Sequence, residues 1–589
     1  MSKTKRKKKS RAKLSLQEIE KRKHKKEIIS TLLNMGFKKV QADNIHFSYK
    51  EVKGEIDDIY FSENVILLLE YTIEKSGDHF KKKAHLYNKI SENYTEFIKY
   101  LISDESCFYE FKEIYKNSIK AKYHLNQLKI RIVYCSKNKV SSEHRLLSKN
   151  VKFYDISIIH YFKYLSNALK ISARNEFLDF LDINCLDFGD NIFNEEKTSK
   201  QTFNSHVLPE AKSHFKNGYK IVSFYIDPDS LLKRAYVLRQ EGWRDEGSTI
   251  VYQRMVDSKK ILKMRKYLSE EERVFVNNII VTIDEKYVKL FDEHGTKIDI
   301  DKDGNFDAKF DSSHTKLGSI EIQNHPNIIG IIDGQHRIFA YHEGNDQYEN
   351  SIVKLRKRQN LLVTGILFPI NEPLEKRRIF EAILFREINN NQTKIHSQLQ
   401  QELDLIVSPF STTAIGKLIV IGLNKNGPLE NKLELHSYET QKVKTASLVS
   451  FGLKPLIKFG DKTHDSLFSI WDNPNKIDFA TSENLNLREE YVNFCVEKIR
   501  DIFIALKDNM PSSMWNTYNP QTREGCLSIT FINGILNVLR CIIKNQEKLP
   551  SIDEYRVAFK NIKEFNFRNY KSSHYTSMGK DIYKQYLDK

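Results

Sequence analysis

The sequence predicts a multidomain α/β (α+β) protein. Three observations predict it: a strand pair followed by a helix near the N-terminus, a strand–turn–helix unit in the middle, and helical periodicity towards the C-terminus. With 589 residues the chain has length for about two to four domains with cores of their own. The expected division is a disordered basic arm over 1–26, a mixed-sheet domain over 27–186 and a linker over 187–214. A second α/β domain over 215–440 and a helical region over 441–589 complete it.

In the first domain, Ile56-Asp57-Asp58-Ile59-Tyr60-Phe61 alternates as a strand should, and Ser62-Glu63-Asn64 supplies turn residues. Val65-Ile66-Leu67-Leu68-Leu69 then runs as a buried partner strand into Glu70-Tyr71-Thr72. Asp57 and Glu70 fall on neighbouring strands, and hard divalent cations such as Mg²⁺ or Mn²⁺ favour such oxygen ligands. A helix follows at Phe80-Lys81-Lys82-Lys83-Ala84-His85-Leu86-Tyr87, with Lys83 and Tyr87 one turn apart on one face. Strands at Lys129–Cys135 and Val151–Asp155 and a helix from Ser157 to Leu169 complete a mixed sheet with helices.

This order resembles the PD-(D/E)xK restriction-endonuclease superfamily, in which an Asp on one strand precedes a Glu-x-Lys on the next. The resemblance implies that Asp57 and Glu70 are metal ligands and catalytic residues of a DNA endonuclease. Thr72 stands where the lysine belongs, so Lys81, Lys82 or Lys83 of the following helix is expected to replace it.

The second motif is Ile328-Ile329-Gly330-Ile331-Ile332, an apolar strand that breaks at Asp333-Gly334 and restarts as a helix at about Gln335. Such a turn directs helix N–H groups at an approaching anion, with His336 and Arg337 as further donors. The plainer alternative is a left-handed glycine with Asp333 capping the helix and His-Arg in solvent. Asp333-Gly334-Gln335-His336-Arg337 resembles the signature of the DGQHR-domain family, which includes DndB proteins and is similar to the ParB/sulfiredoxin fold. Tyr252-Gln253-Arg254, a strand at Phe275–Val281, and Phe385-Arg386-Glu387-Ile388-Asn389-Asn390-Asn391-Gln392-Thr393-Lys394-Ile395 extend the resemblance over about 215–440. It implies that the pentad holds a nucleotide (ATP or CTP) or DNA phosphate, although His336 replaces the first arginine of the ParB turn. Asn389, Asn391 and Gln392 are amides able to read a base or ribose edge, or equally to cap helix ends.

Lys and Arg number 94 against 77 Asp and Glu, a net charge of +17 that favours a polyanionic partner. Much of the excess lies in Lys5–Lys9 and Lys21–Lys26, an arm expected to be disordered or helical only when bound to DNA. No stretch approaches the roughly 18 apolar residues of a membrane span, and no signal-peptide core is visible, so a cytoplasmic protein is expected. Six scattered cysteines give neither a zinc site nor a disulfide framework. The acidic segment from Ile298 to Asp311 lacks the terminal Glu of a calcium loop and is expected to be a hairpin or surface loop. Near the C-terminus Phe565–Lys571 could clamp nucleic acid or pack on a neighbouring helix.

Two functions are compatible with this pattern. One is a metal-dependent nuclease linked to bacterial DNA modification or defence against foreign DNA; the other is a non-catalytic, DndB-like transcriptional regulator that grips DNA. Expected partners are DNA, other modification or defence proteins and, in a homo-oligomer, further copies of the chain.

Overall fold

The computed structural model describes residues 15–74, 77–193, 200–207, 218–237, 256–300, 306, 315–392, 397–436, 439, 441–460, 464–481, 483–546 and 548–588. The first basic run, Tyr252-Gln253-Arg254, most of the acidic segment and the side chains of Asn391 and Gln392 lie outside these residues. Two compact units form, one from residues up to 237 with 256–370, the other from 371 onward. The expected 215–440 domain is therefore cut at residue 370: its strands belong to the first unit, and the helix carrying Phe385–Gln392 belongs to the second.

The first unit opens with helix α1 (Leu16–Asn34), held at its start by a capping box between Ser15 and Glu18. This corrects the expected arm over 15–26: sparse apolar positions still bury His24, Ile28 and Leu32, which is enough to dock the helix. A five-stranded mixed sheet follows, built from β1 (Lys38–Gln41), β4 (Asp58–Ser62), β5 (Val65–Thr72), β6 (Lys129–Ser136) and β7 (Val151–Asp155). A small hairpin, β2 (His46–Tyr49) with β3 (Val52–Glu55), sits between the first two. β4 and β5 are antiparallel, while β5, β6 and β7 run parallel, which requires the crossover that helix α2 (Asp78–Glu92) begins.

All eight residues of β5 are buried, five of them aliphatic, each worth about 1.5–3 kcal/mol of burial. Phe80, Ala84, Tyr87 and Ile90 of α2 join Ile66, Leu68, Ile130, Ile132 and Tyr134 in one core on this face. α1 packs against the helix Ile156–Leu169. Gly54 of β3 faces Leu86 so closely that a Cβ there would meet Leu86 Cδ2 at 2.4 Å, and this contact seats the hairpin on α2.

The second sheet has nine strands in the order β10-β15-β11-β16-β9-β8-β14-β12-β13. They are β8 (Lys200–Val207), β9 (Lys220–Ile226), β10 (Ala235–Val237), β11 (Ile279–Asp284), β12 (Val288–Asp292), β13 (Lys297–Ile298), β14 (Lys316–Gln323), β15 (Ile329–Asp333) and β16 (Leu361–Phe368). Two sequence expectations shift here. β8 lies inside the expected linker, because Phe203, Ser205 and Val207 alternate inward while backbone pairs with β14 and β9 satisfy both edges. The strand expected at Phe275 starts at Ile279 instead, leaving Val276 89% exposed.

The second unit is helical from Leu374 onward, and it starts earlier than the residue 441 expected. Thr412–Lys425, Leu485–Asp508, Ile529–Gln546 and Tyr575–Tyr586 share one core. The last two helices cross at Gly534 and Gly579, where a Cβ on Gly579 would lie 2.6 Å from the Gly534 carbonyl. Phe567 packs on Phe531 at 5.0 Å and Phe565 stacks on Tyr570 at 5.8 Å, so these aromatics serve packing rather than a clamp. Among the described residues no single helix is long and apolar enough to cross a membrane.

Candidate functional site

The register of β4 with β5 sets Asp58 opposite Leu69, and one step further Asp57 donates its N–H to the Leu69 carbonyl at 3.1 Å. Strand alternation then divides the acids. Asp58, fully buried, turns towards Lys39 (2.8 Å) and Lys25 of α1 (3.3 Å). Glu70 turns to the other face with Ile66, Leu68 and α2, and only 3% of it is exposed.

There Lys83 of α2 meets it, Nζ to Oε1 at 3.0 Å. Of the three candidate lysines, Lys83 is the one brought into the cluster; Lys81 and Lys82 are exposed on the outer side of α2. Lys83 also reaches the Glu55 carbonyl (3.3 Å) and its Oε1 (3.5 Å), contacts that depend on the seating of the hairpin. Thr72, in the lysine position of the strand motif, is buried and accepts the Glu74 N–H on its hydroxyl at 3.2 Å.

Sequence reasoning missed His79. Its Nε2 lies 3.5 Å from Glu70 Oε1 and its Nδ1 lies 2.9 Å from the Tyr134 hydroxyl. The signal was available in the spacing, since His79, Lys83 and Tyr87 recur every four residues along one face of α2. Glu55 left no comparable signal.

The electrostatics of the cluster are uncompensated. Burial, then the Asp57 carboxylate beside it, pushes Glu70 up to about 8 against the pull of Lys83. Burial also raises Asp57, although its Oδ2 accepts the Tyr71 N–H at 2.7 Å and Lys25, Lys83 and Lys21 all act to lower it. Burial followed by Lys83 lowers His79. A buried Glu70 whose ionisation is hindered by a half-buried Asp57 suits a divalent cation, which would favour both charged forms. Among the described residues no group of three or more His, Cys, Asp or Glu is placed to hold a metal, so such an ion would take two carboxylates from the protein. That fits Mg²⁺, which keeps several waters and substrate phosphate oxygens.

At the second motif, β15 ends at Asp333, Gly334 adopts φ 98°, and a short helix spans Gln335–Phe339. The left-handed glycine at the turn is as expected. The donors are otherwise engaged. Arg337 Nη2 donates to Asp333 Oδ2 (2.9 Å) and to the Asn278 carbonyl (2.8 Å), rather than facing solvent. His336 is buried, and its Nε2 accepts the N–H of Asp257, which caps helix Ser258–Glu271, at 3.1 Å. Gln335 is buried as well. Asn389 is buried and donates to the Phe385 carbonyl one turn back within its own helix at 2.8 Å, which is neither a contact to a base or ribose edge nor a helix-end cap.

Behind this turn lies an ionic network centred on Arg265. It donates to Asp346 (2.7 Å), Glu349 (2.7 Å) and the carbonyls of Ala340 (2.9 Å) and His342 (2.8 Å). Arg356 adds a bond to Glu349 at 2.8 Å.

A cavity of about 560 Å³ lies on the nine-stranded sheet, lined by Asn204, His206, Ser223, Tyr225, Asp292 and Glu293 among others. Among the described residues no Lys or Arg lines it, and these residues do not suit a phosphate. Compared with family models, curated proteins and solved structures, the chain finds no match.

Proposed function

We propose that the chain is a metal-dependent DNA endonuclease of the PD-(D/E)xK type, its lysine supplied from the helix instead of the strand. The observation that carries this reading is the 3.0 Å contact of Lys83 with a buried Glu70 whose neighbour across the strand pair is Asp57. Asp57 and Glu70 would hold Mg²⁺ or Mn²⁺; such an ion, when bound, polarises a phosphoryl oxygen and lowers the pKa of water. Lys83, held by Glu55 and Glu70, offers positive charge to the phosphorane as it forms. His79 and Tyr134 fix the Glu70 carboxylate from the side opposite the strand pair. The pattern of the pentad adds a link to DNA-modification or defence systems, with the sensor role of that region resting on the DGQHR resemblance.

The test is cleavage of modified and unmodified plasmid DNA by purified protein with Mg²⁺ or Mn²⁺, with and without ATP or CTP. Asp57→Ala, Glu70→Ala and Lys83→Ala should each lower the rate by about 10²-fold or more, whereas Lys82→Ala should stay near the wild type. Wild-type protein that retards DNA without cutting it under all these conditions would replace this reading with the DndB-like regulator.

A further inference from the structure

The first turns of α1 are unlike the rest of the helix. Residues 17–23 are all exposed, and burial begins only at His24, then Ile28 and Leu32. At about 1.5 Å per residue, nearly two turns of helix carry exposed side chains. They do so beside the acidic cluster: Lys21 is close enough to help lower both Asp57 and His79, and Glu20 pairs with Lys137 just past the end of β6.

The charges on this projection are unbalanced. Its carboxylates are engaged, Glu18 by the Ser15 backbone and hydroxyl in the capping box and Glu20 by Lys137. Among the described residues Lys21, Arg22, Lys23 and Lys26 have no ion-pair partner. Lys81 and Lys82 of α2 add two further exposed cations to the same unit. The exposed turns thus carry three cations without a close ion pair, Lys21, Arg22 and Lys23, with Arg22 acting on Glu18 only at longer range, and surface charges of one sign repel.

We propose that the exposed N-terminal turns of α1 are a docking element for duplex DNA, laid against phosphates beside the scissile site. Charge complementarity selects a polyphosphate. The form of the element selects duplex DNA, because a helix about 10–12 Å across matches a major groove about 12 Å wide, whereas the deep, narrow groove of A-form RNA excludes it. The proposal deepens the nuclease reading and rests on it for the alignment of the groove with Asp57 and Glu70.

Binding of full-length protein to a fluorescent duplex, in chelator so that nothing is cut, is measured by anisotropy across a range of salt, with single-stranded DNA and double-stranded RNA as parallel probes. The triple variant Lys21→Ala, Arg22→Ala, Lys23→Ala should bind duplex DNA at least about tenfold more weakly at low salt, with a log–log salt slope shallower by about 2–3. The charge-preserving Lys21→Arg, Lys23→Arg variant should bind as the wild type does, which excludes loss of fold as the cause. Equal affinity and slope for the triple variant and wild type would overturn the proposal, as would equal weakening on all three probes. If wild-type protein never cleaves but the triple variant still loses duplex binding, the nuclease reading fails and the docking element stands. If wild-type protein cleaves and the triple variant binds unchanged, the docking element fails and the nuclease reading stands.

Discussion

The first unit contains two ionic centres, each setting one Asp and one Glu against cations, arginines in one and lysine in the other, and they behave in opposite ways. Around Arg265, burial alone would raise Asp346 and Glu349, yet Arg265 holds Asp346, and Arg356 with Arg265 holds Glu349, below the usual carboxylate range. Around the buried Glu70 and the half-buried Asp57, Lys83 acts on both acids and Lys25 and Lys21 on Asp57, yet both acids are raised. The Arg265 centre is complete in itself: fixed forks reach backbone carbonyls and carboxylates together, and the network ties helix Ser258–Glu271 to the segment after the Asp333–Arg337 turn. In the Glu70 centre the lysines and the Tyr71 N–H do not offset burial, so a cation from outside would add to the stabilisation of both charged forms. On the proposed reading, a buttress and a site differ in the sign of their carboxylate shifts more than in the number of charges.

The largest expected effect separates them on stability. Arg265→Met leaves Asp346 without its guanidinium partner, Glu349 with Arg356 alone and the Ala340 and His342 carbonyls without their bonds to Arg265, and should cost about 3–5 kcal/mol in a urea titration. Lys83→Met should cost less, about 1 kcal/mol at neutral pH, because Glu70, raised to about 8, is left largely protonated and uncharged, while cleavage should fall by about 10²-fold or more. Comparable losses for the two variants would remove the distinction.

The two centres should also tilt the pH profile in opposite directions. Burial, then Arg265, lowers His342 to about 4, so between pH 6.5 and 4 the unfolded chain takes up a proton that the folded protein refuses. That stability is complete above about 6.5 and falls by roughly 3 kcal/mol as pH drops through the window. Glu70 is the reverse: with its folded value raised to about 8, the metal-free protein keeps a proton that the unfolded chain releases from about 4.5 upward, and stability declines as pH rises towards 8. Melting curves in chelator should therefore show Glu70→Gln gaining over wild type at pH 8.5 with little difference near pH 4.5. His342→Gln should flatten only the acid side.

What the sequence makes legible follows the same division. The strand pair, the helix after it and β6 and β7 were legible because their periodicity is local. The choice among Lys81, Lys82 and Lys83 was not, since it depends on the phase in which Phe80, Ala84 and Tyr87 set α2 on the sheet. Glu55 depends on a glycine contact between elements about thirty residues apart. β8 left little trace in composition because Lys200–Val207 is polar on its open face and gains its place from backbone pairing. The left-handed Gly334 was legible, whereas the carbonyl of Asn278 that engages Arg337 comes from 59 residues away.

The smallest effect concerns that arginine. If the Asp333–Arg337 turn held phosphate in the way its motif implies, Arg337→Ala would weaken DNA or nucleotide binding and leave the fold alone. The geometry argues for the opposite result. Arg337 closes the turn by joining Asp333 to the Asn278 carbonyl, and a Cβ on Gly334 would already crowd its guanidinium at 3.1 Å. Arg337→Ala should cost about 1–2 kcal/mol of stability through the unpaired carbonyl and carboxylate, with DNA affinity and its salt slope unchanged. A lower affinity at full stability would instead mean that a phosphate displaces Asp333 from Arg337, and the turn would then rank with the Glu70 cluster as a ligand site instead of with its Arg265 neighbour.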